Sequence, residues 1–140
     1  LTLVTHSAEE TELLAQKIAS GLKGKEIIAF FGGLGMGKTA FVRGLARGLQ
    51  CTETVTSPTF ALVNQYNGKY PLYHFDMYRI DSWDDLYSIG FFDYLDNGVL
   101  AIEWSENIEG ALPENTIRIS ISAGEKSSDR IFKIDGIEEI

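Results

Sequence analysis

A chain of 140 residues with a formal net charge of −8 has the length of one domain. A chain of that size removes roughly 68–70% of its unfolded surface from water, enough for a core without covalent staples. Hydrophobic residues at 44% and charged residues at 23% exclude wholesale disorder, and the single cysteine, Cys51, excludes an internal disulfide framework and a cysteine-based zinc site. No apolar run approaches the ~20 residues that span a bilayer, no secretory pattern opens the chain, and an acidic protein lacks the surplus Lys and Arg that displace counterions from nucleic acid. The expectation is a cytoplasmic protein that binds neither membrane nor DNA.

In chain order, residues 1–5 alternate as a short strand does. Ser7 and Glu10 then stand as N-cap and N3 of a capping box. Leu13, Leu14, Ile18 and Leu22 carry helical spacing, with Gly21 or Gly24 as the stop. Residues 26–31 form a short apolar run typical of a buried strand, and a glycine-rich turn leads to a helix starting near Lys38 and marked by Phe41, Val42, Leu45, Ala46 and Leu49. Residues 60–66 and 70–78 are aromatic-rich strands around Asn67-Gly68, a type I′ hairpin signal. Both faces of the second are apolar or aromatic, which predicts a strand covered on both sides. Short helices are expected near residues 84–88 and 91–95 and a strand over 99–102. Ser105 is a candidate cap, and residues 116–122 and 130–134 are expected to form an antiparallel pair. Strands and helices that alternate early, with extra antiparallel strands late, predict an α/β fold: a mixed sheet with a parallel core, flanking helices and an antiparallel hairpin, in a single domain over residues 1–140.

Charge and glycine are unevenly spread. Residues 1–50 hold six basic and four acidic side chains, and eight of the 14 glycines fall between Gly21 and Gly48. Residues 80–117 hold nine carboxylates and no Lys or Arg. The first region suits anions and the second suits cations or basic partners.

Gly32-Gly33-Leu34-Gly35-Met36-Gly37-Lys38-Thr39 fits G-x-x-x-x-G-K-[ST] between an apolar strand and a helix, the setting that motif requires. Glycines let backbone N–H groups converge on a phosphate, and the helix start adds its positive dipole end. Lys38 supplies a charge for the outer phosphates, and Thr39 a hydroxyl for Mg²⁺. A metal also needs a carboxylate. Glu103, ending Val99-Leu100-Ala101-Ile102, and Asp76, ending His74-Phe75, both stand where a parallel strand would bring an acid beside the loop. Either can be the direct ligand, with the other acting through water or orienting the attacking water. Thr56-Ser57-Pro58-Thr59-Phe60 is either a γ-phosphate-sensing switch or a turn before a strand. His74 reads as a packed strand histidine, and Trp104 as either a buried anchor or a functional ring.

The ordered set of Gly33-Leu34-Gly35-Met36-Gly37-Lys38-Thr39, Thr56-Ser57-Pro58-Thr59-Phe60, Tyr73-His74-Phe75-Asp76-Met77-Tyr78-Arg79 and Glu103-Trp104-Ser105-Glu106 resembles the TsaE (formerly YjeE) family, the small ATPases of bacterial tRNA threonylcarbamoyladenosine synthesis. Gly33 departs from the Asp common there, at a position the phosphate motif leaves free. The resemblance covers nearly the whole chain. It implies a P-loop NTPase-like fold, a single P-loop nucleotide-binding domain over residues 1–140, and binding of ATP or ADP with Mg²⁺ through residues 33–39 and Ala40. It implies partnership with the TsaB and TsaD proteins, with tRNA reached only through them, and hydrolysis that is weak alone and faster with those partners. By the same resemblance Lys38 binds phosphate, Thr39 and Glu103 hold Mg²⁺, Asp76, Thr59 and Trp104 support hydrolysis or coupling, and Ser7 and Arg130 border the nucleotide. A GTPase is disfavoured because no N-K-x-D occurs, and a small-molecule kinase because no insertion is long enough for an Arg-bearing lid. A nucleotide-gated binding module with incidental hydrolysis stays open as an alternative.

Overall fold

The structure, a computed structural model, describes residues 1–32, 37–55 and 63–140. In chain order the elements are strand β1 (Thr2–Thr5), helix α1 (Ala8–Ser20), β2 (Ile27–Phe31), α2 (Lys38–Gly48), β3 (Val63–Tyr66), β4 (Leu72–Asp76), α3 (Trp83–Ser88), α4 (Phe91–Tyr94), β5 (Val99–Glu103), a 3-10 helix (Ser105–Ala111), β6 (Ile117–Ala123) and β7 (Arg130–Asp135). The strands share one sheet in the order β1-β7-β6-β2-β5-β4-β3. The central four, β6, β2, β5 and β4, run parallel. β7 against β6, β1 against β7 and β3 against β4 are antiparallel. This is the mixed sheet with a parallel core that the sequence predicts. The continuous apolar runs of β2, β4 and β5 are buried on both sides apart from their last residues, whereas the alternating β6 buries one face only.

Helices α1 and α2 cover one face of the sheet. Their core includes Phe30, Phe41, Phe132, Leu45 and Ile119, with Phe41 edge-on to Phe30 at 5.3 Å and tilted against Phe132 at 5.6 Å. The two helices approach closely because Gly44 and Gly48 face α1: a Cβ on Gly44 would overlap the Glu12 carbonyl oxygen, and one on Gly48 would lie 2.5 Å from the Ala19 Cβ. Glu12, almost buried at this seam, accepts from Arg43 at 2.8 Å and from Arg47 at 3.2 Å. The other face is covered over β4, β5 and β2 by α3, α4 and the 3-10 helix, with a core that includes Phe75, Phe91, Leu86, Met77 and Ile102.

Local signals act largely as read. Ser7 Oγ accepts from Glu10 N–H at 3.1 Å, while the Glu10 carboxylate accepts from His6 N–H rather than from Ser7 N–H, so the capping box closes one residue early. The chain turns out of α1 at Gly21. Two expectations are corrected. Asn67-Gly68 does not form a two-residue hairpin: Tyr66 pairs with Leu72, so five residues separate the strands, and Gly68 has no positive φ. Gly68 is there because a Cβ would overlap the Leu49 carbonyl, and Asn67 N–H donates to the Glu53 carboxylate. Nor does Ser105 cap the helix after it. It is buried at the first helical position and donates to the Ile102 carbonyl at 2.9 Å, and Trp104 takes the cap position.

Candidate functional site

The site is built on the rim where the parallel strands end, on the α2 side of the sheet. Gly32 leaves β2 at φ 114°, and a Cβ there would lie 2.9 Å from the Ile121 carbonyl oxygen. Gly37 caps α2 at φ 101°. Both positions require glycine, and they bracket the loop residues Gly33, Leu34, Gly35 and Met36, which lie outside the described residues, as do Thr59 and the rest of 56–62.

Lys38 is the first residue of α2 and is 1% exposed. Its Nζ donates to the Gly32 carbonyl at 2.6 Å and lies 5.2 Å from the centre of the Trp104 ring. The ion pairs of the described residues all lie elsewhere. An ammonium ion therefore sits buried at a helix N-terminus that has no acidic residue in its first turn. The carbonyl and the ring attract it but do not neutralise it. Both the helix dipole and the ammonium favour an anion at this point.

The acids approach from the sheet. In the β4–β5 register Asp76 stands beside Glu103 at the strand ends. Asp76 Oδ1 accepts from Tyr78 N–H at 3.0 Å. His74, two residues earlier on the same face of β4, is fully buried and donates from Nε2 to Glu103 Oε2 at 2.6 Å. Nε2 is the donor because a carboxylate only accepts, and buried Nδ1 has no partner among the described residues. Each acid thus has one oxygen held within the protein. His74 is the residue that sequence reasoning undervalued: it is the packed strand histidine expected, but packed against the carboxylate. Its partner lies 29 residues away and only the strand register reveals it.

Trp104 follows Glu103 in the left-handed region, φ 59° and ψ 42°, an uncommon and strained conformation for a bulky residue. That turn carries its ring over Lys38 and within 5.0 Å of Tyr78, edge to face. Glu106, which earned no separate role from sequence, accepts from Gly32 N–H at 3.1 Å and ties the 3-10 helix to the end of β2. Thr39 and Ala40 follow Lys38 on α2, with Thr39 partly exposed and Ala40 buried. Arg130 reaches the same rim: its Cγ and Cδ lie 3.7 Å from where a Gly37 Cβ would be, and its guanidinium donates to the Ser127 and Asp129 carbonyls. Ser7 lies two residues beyond Thr5, the β1 partner of Arg130, and its hydroxyl caps α1. The structure therefore brings Gly37, Lys38, Trp104 and Arg130 together and sets Asp76 beside Glu103.

The residues fit a nucleotide with Mg²⁺ on their chemistry. Mg²⁺ takes hard oxygen ligands and is bound through one or two carboxylates plus substrate phosphates rather than by an all-protein cage. Asp76, Glu103 and Thr39 are of that kind, and among the described residues no group of three or more His, Cys, Asp or Glu forms such a cage. No helix among them is long and apolar enough to cross a membrane.

The profile of the family described as threonylcarbamoyl adenosine biosynthesis protein TsaE matches residues 5–132. Proteins named tRNA threonylcarbamoyladenosine biosynthesis protein TsaE are similar throughout: that of Treponema pallidum is 40% identical over 84% of this chain and 88% of its own length. The Bacillus subtilis protein is 38% identical over 94% and 84%, and the Aquifex aeolicus protein 44% identical over 74% and 76%. A crystal structure of Bacillus subtilis YdiB superposes with a TM-score of 0.70 at 35% identity, covering 94% of this chain and 82% of that one.

Proposed function

The chain belongs to the TsaE family, whose role is in tRNA threonylcarbamoyladenosine biosynthesis, and from that premise we propose that it is a Mg²⁺-dependent ATPase supporting the TsaB–TsaD transferase. The observation that carries this reading is the buried Lys38 ammonium at the start of α2, which lacks an anion among the described residues. A phosphate supplies the missing charge, and the glycine loop supplies backbone N–H donors. Thr39 and Glu103 are the residues to hold Mg²⁺, Asp76 is placed to orient water, and Arg130 flanks the nucleotide. Bound Mg²⁺ would neutralise charge on the outer phosphates.

Calorimetric titration with ATP and with ADP tests the reading. Lys38→Ala should weaken ATP binding on the order of 10–100-fold, the loss of a charge-assisted hydrogen bond to phosphate. Unchanged affinity would sink the phosphate-loop assignment. Glu103→Ala should lose the gain in affinity that Mg²⁺ confers while keeping Mg²⁺-free binding, and equal losses under both conditions would remove Glu103 from the metal. Phosphate release, measured with and without TsaB, TsaD and tRNA, should rise with the partners; a rate indifferent to them favours a nucleotide-gated binding module.

A further inference from the structure

At the edge of the sheet opposite β3, strand β1 and helix α1 leave a groove that the nucleotide site does not use. Its volume is about 230 Å³, and it is lined by Leu3 and Val4 of the strand and by Glu10, Leu13, Leu14 and Lys17 of the helix. Leu13 is 58% exposed and Val4 49%. β1 is the last strand on this side, and no strand among the described residues pairs with its outer edge. Leu1 exchanges both backbone hydrogen bonds with Ile134, at 3.2 and 2.8 Å. Such pairs alternate along an antiparallel ladder, so Leu3 and Thr5 also bond toward β7, while Thr2 and Val4 turn N–H and C=O outward. No proline, lysine or other charged residue blunts this edge within Thr2–Thr5.

The helix beside it carries a patterned stripe. Glu10, Leu13, Leu14 and Lys17 follow the i, i+3, i+4, i+7 spacing of one helix face, with an acid at one end and a base at the other. Both charges are exposed, and neither takes part in the ion pairs of the described residues; Glu10 Oε1 accepts from His6 N–H at 3.3 Å. The stripe runs back along β1. The Thr5 and Thr11 hydroxyls meet at 2.7 Å, and two strand residues advance about as far as four helical ones, so Leu3 lies beside Leu14, both against the margin of the same core. The middle of the edge and the middle of the stripe therefore coincide. The nine carboxylates of residues 80–117 belong to β5 and the helices around it, across the sheet from β1, so the chain's net charge sets little repulsion here.

We propose that this edge is a contact between two copies of the chain, related by a two-fold axis through Leu3 that joins their sheets into one. Thr2 of each copy then stands opposite Val4 of the other, and their outward groups close four backbone hydrogen bonds. The two stripes run antiparallel, so that Glu10 of each copy meets Lys17 of the other and the Leu13 side chains meet in the middle. A two-fold contact sets residue i against j and j against i, and a stripe with an acid at one end, a base at the other and leucines between is complementary to its own reverse. A nucleic acid or an anionic membrane, of one charge sign, matches only the lysine end. The contact is independent of the nucleotide reading.

Sedimentation velocity of the full chain at increasing concentration tests it, and a monomer–dimer equilibrium is expected. Val4→Pro removes an N–H that faces away from β7, so the β1–β7 ladder stays whole; two of the four bonds are lost, and the dimer should weaken on the order of 10-fold or more. Glu10→Lys and Lys17→Glu should each stay monomeric alone, because like charges meet at both ends. Mixed in equal amounts they should dimerise again, because every end then pairs an acid with a base. Urea unfolding of each variant separates loss of contact from loss of fold, and the proline and charge arms are independent, so a variant that fails to fold in one leaves the other decisive. A chain that is monomeric at every concentration overturns the proposal. So does a dimer that folded Val4→Pro leaves unchanged, or a mixture of the two folded charge variants that stays monomeric.

Discussion

The two faces of the sheet are finished to different degrees. On one, two helices of 13 and 11 residues lie over the strands, seated through Gly44 and Gly48 and fastened by Glu12 to two arginines. On the other, helices of six and four residues and a 3-10 segment cover part of the sheet and leave Trp83 and Tyr87 in water. The closed face holds the rim of the candidate site: Lys38, His74, Asp76 and Glu103 belong to elements packed against it. The open face retains apolar area that folding alone does not use. In this molecule the candidate site lies on the face closed by the long helices, and the exposed aromatic rings lie on the other.

Core truncation is the largest way to break that contrast. Phe41→Ala, with both aromatic neighbours lost on the closed face, should cost about 3–5 kcal/mol, whereas Tyr87→Ala on the open face should cost about 1 kcal/mol or less; urea unfolding of the two variants measures the gap. Comparable losses would mean that the open face is as tightly packed as the closed one. Gly44→Ala comes next. The added methyl meets backbone at Glu12 rather than a flexible side-chain end, so α1 and α2 must part, at about 1–3 kcal/mol, despite the gain in helix propensity. A variant more stable than wild type would refute the close helix approach.

The smallest effect is a matter of pH at the junction of β1 and β7, where His6 Nδ1 pairs with Asp129 Oδ1 at 2.8 Å. The hydrogen bond to Asp129 raises the His6 value above the ordinary ~6.5, and the same bond lowers that of Asp129. The His6 contribution is therefore complete below the unfolded histidine value and lost as pH rises through the raised folded one. The Asp129 contribution is present above the unfolded aspartate value and lost as pH falls through the lowered one. The melting-temperature difference between wild type and His6→Ala should be largest between those limits and shrink as pH rises past them. A difference that does not change with pH would show that the pair is not ionic.

Patterns of local origin could be read from the sequence. The buried runs at β2, β4 and β5, the alternation of β6 and the Ser7 cap all encode their structure within a few residues. The failures were at long range. Asn67-Gly68 has hairpin chemistry, yet Gly68 is dictated by a carbonyl of Leu49, nineteen positions earlier. The hydrogen bond from His74 to Glu103 and that from Gly32 to Glu106 exist only once parallel strands are in register. The left-handed turn at Trp104 had no local signal either, since an indole is an unfavourable choice there; only packing against Tyr78 and Lys38 accounts for it.

The sheet order also constrains when the site can exist. β2 lies between β5 and β6, so the strand that leads into the glycine-rich segment gains its first neighbour only when residues near 100 have been made and its second only near residue 117. Such late partners make for slow folding. On the ribosome, the early third of this protein holds its lysine and its glycines long before it holds a place to put them, and a chain stopped short of β6 would present β2 as an open, wholly apolar edge.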